Sequence, residues 1–100
     1  MFVIMTYDTP AKRTGIFLEI GRKYLTHTQN SFLMGDLTQS NFVKMKKEIS
    51  AVLDKEDNVM LIHAANRNNV DVTQLSKNAS SPGHMAETDV PSHKSDSWIL

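Results

Sequence analysis

Apolar residues gather along this chain in stretches of differing period, and those periods predict its elements. Phe2 to Tyr7 (FVIMTY) is rich in β-branched and aromatic residues and too short for a core helix, so it reads as a strand. Thr9-Pro10 reads as an N-cap followed by proline in the first turn, opening a helix that runs to about Leu25. Ile16, Phe17, Ile20 and Tyr24 fall on one stripe of that helix, and Lys12, Arg13, Arg22 and Lys23 largely lie elsewhere. Gly15 and Gly21 each weaken it by up to about 1 kcal/mol relative to alanine, so packing must hold it. Thr26 to Leu37 is β-prone but broken near Gln29-Asn30 and again at Gly35, giving two short strands or one bent one. Thr38 or Ser40 caps a second helix through Leu53, with Phe42, Met45, Ile49, Val52 and Leu53 on its buried side. Asn58 to Ala65 is a further, nearly continuous apolar strand.

The order β-α-β-β-α-β predicts an α+β chain, a ferredoxin-like sandwich. Val70 to Leu75 adds a polar, β-prone segment expected as an extra C-terminal edge strand. The domain should therefore cover residues 1–76. Residues 77–100, dominated by Ser, Pro, Gly, His, Asp and Glu without period, read as a flexible tail. In this fold both helices cover one sheet face. Yet the first strand is apolar on both parities (Phe2 and Ile4, Val3 and Met5), and so is the last (Val59 and Leu61, Met60 and Ile62). A half-exposed antiparallel strand should alternate instead. Something must cover the second face, and a homodimer packed sheet on sheet is the simplest cover.

Composition narrows the class more than it identifies it. At 100 residues and 40% hydrophobic content, one core is possible with little margin. Net charge is zero, with ten Lys and Arg against eight Asp and Glu in residues 1–78 and one against three beyond. That is too weak a footprint to indicate nucleic-acid binding by itself. Cysteine is absent, which excludes thiolate metal sites and disulfides. The first residues are apolar only from Met1 to Met5 and reach Asp8 without a basic leader, so no signal peptide and no membrane span is expected. A soluble cytoplasmic protein is the expectation.

Three features in order carry a resemblance. Val3-Ile4-Met5-Thr6-Tyr7-Asp8 is a hydrophobic strand ending in aromatic-plus-aspartate, followed by the basic pair Lys12-Arg13. Gln29-Asn30-Ser31-Phe32, then Gly35, Leu37 and Thr38, follows a Q-x-S-[VP]-F pattern with a trailing glycine and helix cap. The spacing of the elements is the third. Over roughly residues 1–65 the set resembles the CRISPR-associated protein two family. The resemblance implies a homodimer that sits between two integrase dimers and carries captured DNA into the repeat array. It also implies a metal-dependent nuclease activity reported for some members, with the strand-end aspartate as metal ligand, a role that maps onto Asp8.

The residues leave their roles open. Asp8 reads either as a catalytic carboxylate binding Mg²⁺ or as an acid near a helix start, favoured by the macrodipole. Lys12, Arg13, Arg22 and Lys23 are either a solvated helix face or phosphate contacts, as are Lys44, Lys46 and Lys47. Tyr7 and Phe32 read as core or interface, and His27 and His63 lack a second ligand at metal spacing. No P-loop, nucleophile elbow or zinc pattern occurs. The expected function is a CRISPR adaptation protein: a dimeric adaptor that binds duplex DNA and docks the CRISPR integrase. A Mg²⁺-dependent endoribonuclease, one that hydrolyses RNA, is the enzyme alternative. A toxin-like endoribonuclease of the related virulence-associated family and a small-molecule regulatory module share the scaffold.

Overall fold

In the computed structural model, the described residues are 1–77 and 85–89. A four-stranded sheet has the order β2-β3-β1-β4, formed by β1 (Phe2–Asp8), β2 (Thr26–Gln29), β3 (Phe32–Asp36) and β4 (Asn58–Ala64). β1 is central and antiparallel to both neighbours, pairing Ile4 with Met34 on one side and with Ile62 on the other. Helices α1 (Thr14–Arg22) and α2 (Gln39–Val52) pack on one face. There Val3, Met5, Tyr7 and Leu33 of the sheet meet Phe17 and Ile20 of α1 and Phe42, Met45 and Ile49 of α2. This is the expected ferredoxin-like arrangement.

Local differences have physical causes. α1 does not begin at Thr9-Pro10: Ala11–Arg13 forms a single 3₁₀ turn, and the residue capping α1 is Arg13, with no side-chain cap bond. The Thr9 hydroxyl instead donates to the carboxylate of Asp57. Of the two candidate caps for α2, Thr38 is the one used, its hydroxyl accepting from the Asn41 N–H at 3.1 Å. Thr26 to Leu37 is two strands joined at Asn30, whose φ of 36° turns the hairpin. Gly35 does not break the second of them, being buried and paired with Val3.

The expected extra edge strand lies elsewhere. β5 (Thr73–Lys77) pairs antiparallel with β6 (Met85–Asp89) in a separate two-stranded sheet and does not extend the main one. Of residues 77–100, expected as a tail, Lys77 closes β5 and 85–89 form β6, while 78–84 and 90–100 lie outside the described residues. The stretch before β5 folds back over the second sheet face, where Val70 and Val72 pack against Phe2, Ile4 and Met34. Arg67 lies over the Phe2 ring, 5.9 Å from its centroid, and pairs with Asp36. The chain thus supplies part of the cover for which a partner was expected. Met60 and Ile62, on the same face, remain 58% and 46% exposed.

The two helical glycines differ. A Cβ at Gly21 would stand 2.9 Å from Leu33 Cδ2 and 3.2 Å from Met5 Sδ, both in the core, so the missing side chain lets α1 approach the sheet. A Cβ at Gly15 would meet nothing within 4 Å. Gly15→Ala should therefore raise stability by up to about 1 kcal/mol, through helix propensity alone. Gly21→Ala should give a net loss of about 1 kcal/mol, because overpacking against Leu33 outweighs the same propensity gain. Chemical denaturation of the two variants with the parent checks the opposite signs.

Candidate functional site

The end of β1 is fixed on both sides of Asp8. One residue before it, the Tyr7 N–H donates to the Ser31 carbonyl at 3.3 Å, and one residue after it Thr9 donates to Asp57. Asp8 itself stands opposite Asn58 and is exposed. Among the described residues no hydrogen bond or ion pair engages its carboxylate. Nor does it cap a helix, since α1 begins six residues later. The backbone is held while the carboxylate stays open to a ligand.

A metal makes further demands. Mg²⁺ requires near-octahedral oxygen coordination, in which a protein contributes one or two carboxylates and waters complete the shell. Among the described residues no group of three or more His, Asp or Glu can hold a metal ion. One chain offers the open carboxylate of Asp8 at this end of the sheet, and the nearby Asp57 carboxylate is taken by Arg13, Thr9 and the Asp54 amide.

Four cations were expected to meet phosphate, and they divide into two pairs. Arg13 is held within the chain: its Nε lies 3.1 Å from both Asp57 oxygens and its Nη2 2.7 Å from Oδ2, and Nη2 also donates to the Val52 carbonyl at 2.8 Å. Lys23 pairs with Glu48 at 2.6 Å, and the Tyr24 hydroxyl donates to the same carboxylate. Lys23 and Tyr24 together lower the pKa of Glu48. Lys12 and Arg22 are exposed, with no ion-pair partner among the described residues. Two of the four are thus engaged by carboxylates of this chain and two are not.

Asp57 is the residue that the sequence did not single out. Its side chain is buried, and it accepts from Arg13, from Thr9 and from the Asp54 N–H at 2.8 Å. The Arg13 guanidinium holds its carboxyl well below the usual carboxylate range, opposed by burial and helped by Thr9 and the Asp54 amide. This clamp ties the loop after Asp8 to the turn between α2 and β4. Nothing in Asp54-Lys55-Glu56-Asp57 marks one acid over the others; only tertiary proximity does.

Comparison with known proteins gives this geometry a context. The sequence profile of the family described as CRISPR associated protein Cas2 matches residues 1–72. The CRISPR-associated endoribonuclease Cas2 of Thermotoga maritima is 48% identical over 60 residues, covering 59% of this chain and 69% of that protein. Its counterpart in Haloferax volcanii is 37% identical over 83 residues, covering 83% of this chain and 95% of that protein. Among solved structures, Streptococcus pyogenes Cas2 at pH 6.5 superposes with a TM-score of 0.60 at 25% identity, over 65% of this chain and 87% of that one. A profile match over most of the folded domain, with long alignments to curated relatives and the same sheet and helices, shows that this chain belongs to the CRISPR associated protein Cas2 family.

Proposed function

We propose that two copies of this chain form a cytoplasmic adaptor that holds duplex DNA by its backbone and docks the CRISPR integrase during spacer acquisition. The observation that carries the dimer is the half-open second sheet face. Met60 and Ile62 stand about half exposed there beside fully buried Phe2 and Met34, and burying what remains open is worth about 1 kcal/mol each. Of the four cations at α1, Lys12 and Arg22 have no ion-pair partner among the described residues and stand open to phosphates; Arg13 and Lys23 shape the loop and helix that present them.

A second reading, a Mg²⁺-dependent endoribonuclease, is favoured by the open carboxylate of Asp8 and by the endoribonuclease names of the relatives. In the dimer the Asp8 of the second copy would supply a second carboxylate beside the first. Like charges brought that close would themselves favour a bound cation.

Asp8→Asn separates the two, because the amide keeps the shape and loses the charge a hard cation needs. The adaptor reading expects the variant to bind duplex DNA, to retain a co-encoded integrase in a pull-down and to support integration. Cleavage by the parent should be weak or absent. Loss of integration together with RNA cleavage in Asp8→Asn would make the protein an enzyme first. Failure of the parent to retain the integrase would remove the adaptor reading.

A further inference from the structure

The helical side of the sheet is left open at its outer edge. A groove of about 200 Å³ lies there between α2 and β4, with Ile49 and Leu53 from the helix, Val59 and Leu61 from the strand, and Lys46 and Ser50 as its polar residues. β4 is the last strand in the sheet order, and Leu53 stays 45% exposed beside it. The volume falls below the roughly 300–1,000 Å³ of small-molecule pockets and suits one or two side chains instead. The groove is separate from the proposed dimer face. Val59 and Leu61 pack toward the helices, whereas Met60 and Ile62 alternate with them on the opposite side of β4.

Its charge is uneven along its length. Lys46 is exposed, with Nζ 4.7 Å from the centre of the Phe42 ring, and Lys47 is exposed beside it. Neither has an ion-pair partner among the described residues. Glu48, the acid within α2, is engaged by Lys23 and Tyr24. At the other end Asp54 and Glu56 follow Leu53. A complementary occupant therefore brings apolar side chains with an acid at the Lys46 end.

This chain carries such a segment beyond the residues that match the family profile, which ends at residue 72. Asp96-Ser97-Trp98-Ile99-Leu100 joins an acid to three large apolar residues in a stretch otherwise dominated by small and polar ones. In an extended chain alternate residues share a side, so Asp96, Trp98 and Leu100 would project together over about 13 Å. The helical rise from Lys46 to Leu53 is about 10 Å, a close match. From Asp89, where β6 ends, the chain reaches Trp98 within about 30 Å, the width of a small domain. We propose that residues 96–100 dock on the α2–β4 groove of their own chain, with Asp96 beside Lys46, Trp98 over Ile49 and Val59, and Leu100 at Leu53. The segment acts as a strap that closes the apolar side of α2 left open by the sheet.

Trp98 is the chain's only tryptophan, so its fluorescence follows the docking without a label. In the full chain its emission should lie to the blue of that from a free peptide of residues 90–100. Acrylamide should quench it about fourfold less steeply, the ratio for a segment docked about three quarters of the time. Asp96→Lys should return the quenching to that of the peptide. Adding Lys46→Glu to Asp96→Lys should restore the protection, because the pair then meets with its signs exchanged. Leu53→Glu should also free Trp98; should that variant melt early, the charge exchange decides alone. Peptide-like emission in the parent, no loss in Asp96→Lys, or no recovery in the exchanged pair would overturn the docking and leave the adaptor reading standing. Protection that is lost on dilution, or in the Met60→Glu and Ile62→Glu double variant, would put the segment on another copy and overturn its assignment to its own chain.

Discussion

Asp57→Asn is expected to lower the melting temperature by about 10 °C at neutral pH, more than any single surface change in this chain. The side chain is buried and accepts from Thr9, Arg13 and the Asp54 amide, so the amide variant leaves a largely buried guanidinium facing a neutral group. Arg13→Ala should be damaging for the reciprocal reason, an uncompensated buried carboxylate. The double variant should lose less than the sum of the two, the mark of direct coupling. The pH dependence has a definite sign. Arg13 depresses the folded-state pKa of Asp57, so its stabilising contribution is complete above the unfolded value near 4 and is lost as pH falls through the lower folded value. The difference between parent and Asp57→Asn should thus be largest at pH 7 and narrow steadily below about pH 4. Thermal melts of both proteins at pH 7 and pH 3 measure it, and a gap that widens in acid would contradict the clamp.

Met60→Glu combined with Ile62→Glu should convert the protein from dimer to monomer at micromolar concentration. The expected rise in dissociation constant is at least about 100-fold, since two apolar contacts are lost and like charges are set near each other across a symmetric interface. Both side chains are already exposed in the single chain, so the fold itself should tolerate the change. Light scattering should report about twice the 11.3 kDa chain mass for the parent and once that mass for the variant. A parent that is monomeric under the same conditions would remove the dimer from the proposal.

The strands and α2 were legible because their signals are local. β1 is apolar on both parities, Thr38 stands where a cap belongs, and Phe42, Met45 and Ile49 recur at helical spacing. What the sequence concealed was tertiary. Thr9 looked like a helix cap, but its hydroxyl is taken by a carboxylate 48 residues away, and the helix starts after a 3₁₀ turn instead. β6 (MAETD) has no period to distinguish it from the polar residues around it, so the pairing partner of β5 was invisible. Of the site, Asp8 is singled out only through the family resemblance; its place at the strand end alone fits an acid near a helix start equally well. That Arg13 and Lys23 face Asp57 and Glu48, while Lys12 and Arg22 do not, is a matter of which elements meet in space. The groove between α2 and β4 is a space between elements, and no residue pattern announces a space.

The position of β1 in the sheet also has a consequence during synthesis. It is the first strand made, yet its hydrogen-bonding edges are satisfied by β3 and, on the other side, by β4, which ends at Ala64. At about 5–20 residues per second, the ribosome needs roughly 3–11 s to travel from the end of β1 to the end of β4. Throughout that interval the nascent chain carries a seven-residue strand with apolar side chains on both faces and an open edge. Its yield in a cell should therefore depend on trigger-factor-type holding chaperones and on translation speed through residues 9–64, with slower codons there increasing aggregation while the finished protein stays equally stable.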